Sequence, residues 1–342
     1  MLLNVLSISM LSLAVISSIL ALCGGFIVLR AMVNWKKSST ASAEHNQLEK
    51  MSSRLFLFAS IVLALRLCTY PLFYAALQSF VKNIDGAMCI YGVTQVLPDL
   101  CGFLEIIKPM VFFFIGGWLI LHLSARQCKT EAFVLKKLTF LLGITAAILI
   151  DSLGDLIFFL SMSSDIIVTC CTLKLDSTHR ISMVICRYLF GQNDKELLLY
   201  AYYISNLALI GVAGYITWGK KLEAKIAGRK KKLGLVFISA LINFFLTGLT
   251  LFEIIAPKLM NLPYHHCPYC LLRYVPDSLF IIGFFILATF GFGWALGLEL
   301  ATTDKETSGN LSRYLDRIYR FSFLGLSLSL AMVTFYLLWS GQ

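Results

Sequence analysis

A chain of 342 residues that is 58% hydrophobic and only 14% charged, with a mean hydropathy of +0.80, carries more apolar surface than a water-soluble domain of this length can bury. Its net charge of +10 does not mark a nucleic-acid-binding protein, because most Lys and Arg fall between apolar runs, where they set membrane topology. Long apolar stretches rich in Gly and Phe, without ten-residue alternating segments, also exclude an outer-membrane β-barrel.

Runs of about 20 mainly apolar residues are long enough to cross a hydrocarbon core as helices. Eight are expected, near 3–33, 54–80, 100–125, 137–163, 195–218, 233–257, 277–301 and 314–340. The expected fold class is thus all-α, a polytopic transmembrane helical bundle. The first run has no basic segment ahead of it and is too long for a secretory signal, so it is read as a span.

Basic residues concentrate in the segments joining spans 1–2, 3–4, 5–6 and 7–8, with the densest run from Lys220 to Lys232. Cytoplasmic loops retain positive charge, which puts both termini and the loops 81–99, 164–194 and 258–276 on the outer side of a cytoplasmic membrane. The basic run would face anionic lipid; lipid is an expected partner and nucleic acid is not.

Seven of the ten cysteines, Cys89, Cys101, Cys170, Cys171, Cys186, Cys267 and Cys270, lie in or beside those outer loops. An oxidising compartment permits stapling disulfides, and spacing alone does not give their connectivity. Adjacent Cys170 and Cys171 bond to one another only through a strained ring, so they suit other partners or a metal. Cys267 and Cys270 have the C-x-x-C spacing common to redox couples and metal sites. His265 and His266 add two imidazoles beside the two thiols, giving an N/S set for zinc, copper or iron.

An internal match relates two of these loops. From Cys89 the chain reads C-x-Y, six residues, then Pro98-Asp99, and from Cys267 it reads C-x-Y, six residues, then Pro276-Asp277. Gly117-Trp118 and Gly293-Trp294 follow at similar distances. Each match falls at the entry to the third span of a four-span half, which points to two parallel repeats, residues 1–194 and 195–342.

Charges inside the spans form a second constellation. Arg66, Glu105, Lys108, Asp151, Asp155 and Glu253 lie at mid-depth or nearer the cysteine face, where ionisable residues are costly and are candidates for cofactor binding. Glu105 and Lys108 are spaced for a local ion pair, Asp151 and Asp155 share a helical face, and Arg66 neutralising Asp151 or Glu105 would tie the bundle together. His122 and Glu299 are expected to be solvated at the inner interface. Deep histidines and C-x-x-C-H are both missing from the sequence, which disfavours haem.

The tetrapeptide Cys267-Pro268-Tyr269-Cys270 resembles the active-site motif of glutaredoxins. The resemblance covers four residues and implies an exposed attacking Cys267 and a resolving Cys270, without the glutaredoxin fold. The placement of loop cysteines over a helical bundle is similar to the plan of disulfide-forming membrane proteins and vitamin K epoxide reductases. That similarity implies a membrane thiol-disulfide oxidoreductase in which Cys267 and Cys270 exchange electrons with an outer partner. Cys89 or the Cys170-Cys171 pair would relay the electrons to a quinone or a second protein. The alternatives are a soft-metal binding, transport or delivery protein using His265, His266, Cys267 and Cys270, and a non-catalytic anchor subunit for a periplasmic electron-transfer complex. The corresponding partners are a periplasmic thiol, metal or electron-transfer protein.

Overall fold

A computed structural model describes residues 4–37, 42–124, 131–163, 166–191, 194–218, 226–302 and 308–339. Cys128 and residues 219–225, where the basic run begins, lie outside the described residues. Among the described residues all regular structure is helical: α1 Val5–Lys37, α2 Ser42–Leu67, α3 Thr69–Phe80, α4 Ile90–Thr94, α5 Pro98–Ser124, α6 Glu131–Ser161, α7 Cys171–Leu175, α8 Ile181–Phe190, α9 Asp194–Trp218, α10 Ile226–Thr250, α11 Ala256–Leu259, α12 Pro268–Tyr274, α13 Ser278–Ala301 and α14 Ser308–Trp339. Among the described residues eight stretches are long and apolar enough to cross a membrane: Val5–Trp35, Gln47–Phe80, Pro98–Ser124, Glu131–Ser161, Lys195–Trp218, Lys230–Leu259, Ser278–Ala301 and Leu311–Trp339. Helices are the natural outcome, because hydrocarbon offers no partner to a backbone N–H or C=O and a helix pairs them internally. The chain divides into two compact units, Met1–Val168 with Ala301–Ser308, and Thr169–Leu300 with Gly309–Gln342.

In the first unit α6 packs against both α1 and α5. Val28, Trp35, Phe56, Leu63, Trp118, Leu138 and Leu141 form the centre of its apolar core. The second span is broken between α2 and α3 by Pro71, which has no N–H to offer the Leu67 carbonyl. Thr69 Oγ1 donates to the Arg66 carbonyl at 2.7 Å, giving that carbonyl a partner beside the break. His122, expected to be solvated, is instead buried and stacked on Trp118 with centroids 5.3 Å apart. Flat stacking buries one face of the imidazole against the indole. Glu299, for which the same was expected, is also buried.

The second unit uses polar pairs between its helices. Asn243 Nδ2 donates to Asn206 Oδ1 at 3.1 Å, and Ser205 Oγ donates to Asn243 Oδ1 at 2.6 Å, joining α9 to α10. Gly291 of α13 allows α14 to come close, since a Cβ there would lie 2.1 Å from Ser322 Oγ. Between α10 and α11 a π-helical turn covers Leu251–Ile255. Pro257 has no N–H for the Glu253 carbonyl, and the wider turn accommodates that missing bond without ending the span.

Candidate metal centre

Each of the three cysteine loops folds locally in the same way. Cys89, Cys170 and Cys267 are extended residues immediately before α4, α7 and α12, short helices of 5, 5 and 7 residues. The matched C-x-Y segments therefore share a local conformation, with a cysteine ahead of a short helix and a long span a few residues later. Three buried cysteines of the second unit, Cys171, Cys267 and Cys270, make up the candidate ligand set, and Cys89 is buried in the first unit.

Within the second unit the sulfurs of Cys171, Cys267 and Cys270 lie within 4.8 Å of one another. Cys171 and Cys270, 99 residues apart in sequence, have sulfurs 3.9 Å apart. The C-x-x-C spacing explains the rest: Cys267 precedes α12 and Cys270 is in its first turn, so one turn of helix presents both sulfurs to the same point. His265 Nε2 is 3.9 Å from Cys171 Sγ, and Cys170 Sγ is 3.6 Å from the same atom.

The burial of Cys267 corrects an expectation. Its exposure is 0%, against 6% for Cys270, so Cys267 is not an exposed attacking thiol. A C-x-x-C motif alone does not say which side of its helix meets solvent. In this chain the motif is folded inwards, and the half-exposed thiol of the group is Cys170.

Asp176, which no sequence motif marks, orders the two histidines. Its Oδ2 is 2.7 Å from His265 Nδ1 and its Oδ1 accepts the backbone N–H of His266 at 2.8 Å. A carboxylate at Nδ1 fixes the orientation of the His265 ring, with Nε2 on the side of Cys171 Sγ. His266 has a different role: its Nδ1 donates to the Phe252 carbonyl at 2.9 Å, in the π-helical turn. Burial lowers the pKa of His266 more than this hydrogen bond raises it. Replacing Asp176 with Asn keeps the shape but loses the charge, and is expected to weaken metal binding about 10–100-fold in a competition titration. An unchanged affinity would show that His265 does not depend on Asp176.

Glu253, grouped in sequence with the other intramembrane charges, belongs to a separate network in this unit. Arg180 Nε donates to its Oε1 at 2.8 Å, Ser182 Oγ donates to the same oxygen at 2.6 Å, and an Arg180 terminal nitrogen pairs with Oε2. Both carboxylate oxygens are engaged by protein, which leaves Glu253 poorly suited to hold a cofactor.

The remaining charges form a compact cluster in the first unit. Lys108 Nζ donates to Asp151 Oδ1 at 2.9 Å and to Asp155 Oδ1 at 2.7 Å, while Arg66 donates to Asp151 Oδ2 at 2.6 Å and to Ser17 Oγ at 3.0 Å. Two cations and two carboxylates cancel, and α1, α2, α5 and α6 are linked through them. Lys108 also sits 4.4 Å from the centre of the Phe73 ring. Arg66 does neutralise Asp151, and Lys108 is buried and faces α6, while Glu105 is partly buried. The site thus has two parts in the sequence reading and three in the structure: sulfurs with His265 and Asp176, the Glu253–Arg180 network, and the four-charge cluster. No family model, curated protein or solved structure matches this chain.

Proposed function

We propose that this multi-pass membrane protein binds a soft metal ion, such as zinc or copper(I), through cysteine thiolates held above its helices on the outer side of a cytoplasmic membrane. The observation that carries the reading is the convergence of the Cys171, Cys267 and Cys270 sulfurs within 4.8 Å, with His265 backed by Asp176 beside them. A tetrahedral ion with metal–sulfur bonds of about 2.3 Å needs ligand sulfurs about 3.8 Å apart. The 3.9 Å between Cys171 and Cys270 fits that spacing. His265 supplies a fourth donor within the unit.

Cys89 of the first unit is buried, and its loop is tied by the Val168 N–H donating to the Asp85 carbonyl at 3.0 Å. Gly86, with φ +85°, permits that approach, because a Cβ there would meet the Val168 carbonyl oxygen at 2.1 Å. Placement on the outer side rests on the distribution of Lys and Arg and on loops that follow spans 2, 4 and 6.

Two measurements on one anaerobic preparation test the reading. Elemental analysis is expected to find one metal ion per chain, lost when Cys171 or Cys270 is replaced by Ser. Thiol alkylation is expected to label Cys171, Cys267 and Cys270 only after chelation. Pairwise protection of Cys267 and Cys270 that responds to oxidant and reductant, without metal, would support thiol–disulfide exchange instead.

A further inference from the structure

Closed thiolate sites bind tightly but exchange slowly, because no ligand is free to begin the substitution. The site described above has three buried sulfurs, and a fourth thiol stands at its edge. Cys170 Sγ is 3.6 Å from Cys171 Sγ, yet Cys170 is half-exposed where Cys171 is 1% exposed. Its neighbours Thr169, Thr172, Leu173 and Lys174 are exposed as well, so the thiol opens onto free surface. The extended backbone of Cys170, ahead of α7, turns it to one side of the helix start while Cys171 begins the helix and faces inwards.

Resting on the metal reading of this site, we infer that Cys170 is the exchange ligand through which the ion enters and leaves, and that the ion is delivered bound to a thiol. In the entry step the Cys170 thiol attacks the carried ion. A metal–sulfur bond to Cys170 forms as the bond to the carrier thiolate breaks, and the Cys170 proton leaves with the carrier as its thiol. In the second step Cys171 forms its bond to the ion and its proton returns to Cys170, after which Cys267, Cys270 and His265 complete the shell, the two thiols releasing their protons to solvent. No atom changes oxidation state, so the transfer needs neither oxidant nor reductant. Adjacency of the two cysteines matters because the ion moves between sulfurs already in contact, without any loop having to open.

Zinc transfer by the full-length protein in detergent tests this, comparing the unaltered chain with Cys170→Ser and Cys171→Ser. Stoichiometry and affinity are read by competition with a chromogenic chelator, and loading is timed from zinc–glutathione and from zinc bound to a thiol-free chelator. Cys170→Ser is expected to retain one zinc per chain with affinity within about twofold, and to load roughly tenfold more slowly from zinc–glutathione, with a smaller change from the thiol-free source. Retained zinc with an unchanged loading rate would overturn the inference alone. Loss of zinc from Cys170→Ser, matching Cys171→Ser, would also overturn it, making Cys170 a permanent ligand. A chain that binds no zinc in any form would overturn the metal reading itself.

Discussion

Replacing Lys108 with Met is expected to lower the stability of the first unit by about 3–5 kcal/mol, the usual cost of leaving a buried carboxylate without its partner. Lys108 makes close contacts with both Asp151 and Asp155, and its side chain is 4% exposed. Without it, two carboxylates share one guanidinium, and Asp155 keeps only Arg66 at 3.7 Å. Lipid or packed side chains offer no water to make up the difference. Combining Lys108→Met with Asp155→Asn removes one charge of each sign and is expected to recover more than half of the loss. Thermal unfolding in detergent reads both effects. If the double variant is no better than the single one, the cluster does not act as a charge-balanced tie.

Replacing Cys270 with Ser is expected to weaken metal binding by two to three orders of magnitude. Structural zinc sites bind with about 10–16 kcal/mol shared among four ligands. Loss of one thiolate therefore removes about 2.5–4 kcal/mol, and each 1.4 kcal/mol is a factor of ten. Cys171→Ser should behave likewise, because its sulfur touches Cys270, Cys170 and His265 Nε2. Cys23→Ser serves as the comparison: Cys23 is exposed along α1, and its replacement is expected to leave affinity unchanged. Competition titration gives all three values. Equal losses at Cys23 and Cys270 would mean that the measured binding is non-specific.

The helices were legible because hydrophobic length is a direct physical requirement of the bilayer, and all eight expected spans lie on the observed ones with ends a few residues apart. The second span differs most, starting at Gln47 where position 54 was expected. Its first turns carry Glu49, Lys50 and Arg54, which hydropathy counts against a span although they continue the helix. The π-helical turn at Leu251–Ile255 was hidden as well, although Pro257 was visible, because several local geometries accommodate a proline.

The site was legible by residue type and obscure in its contacts. Soft ligands gathered in loops identify Cys171, Cys267, Cys270 and His265 as candidates, yet the burial of Cys267 depends on how α12 is turned. Asp176 was missed because a single loop aspartate carries no periodic signal; its position five residues after Cys171 gains meaning only once His265 is beside it. Lys108 has partners that local spacing does not reveal, since packing against α6 brings it to Asp151 and Asp155, 43 and 47 residues away in sequence. Likewise Arg180 and Glu253 are 73 residues apart, a separation that only the fold can close.

X-ray absorption spectroscopy of anaerobically purified protein addresses the metal centre most directly, since it counts the atoms bound to the ion. The expected spectrum shows one ion per chain with three sulfurs at about 2.3 Å, accompanied by an imidazole nitrogen at about 2.0–2.1 Å. A shell dominated by oxygen and nitrogen, or protein that holds no stoichiometric metal, would contradict it.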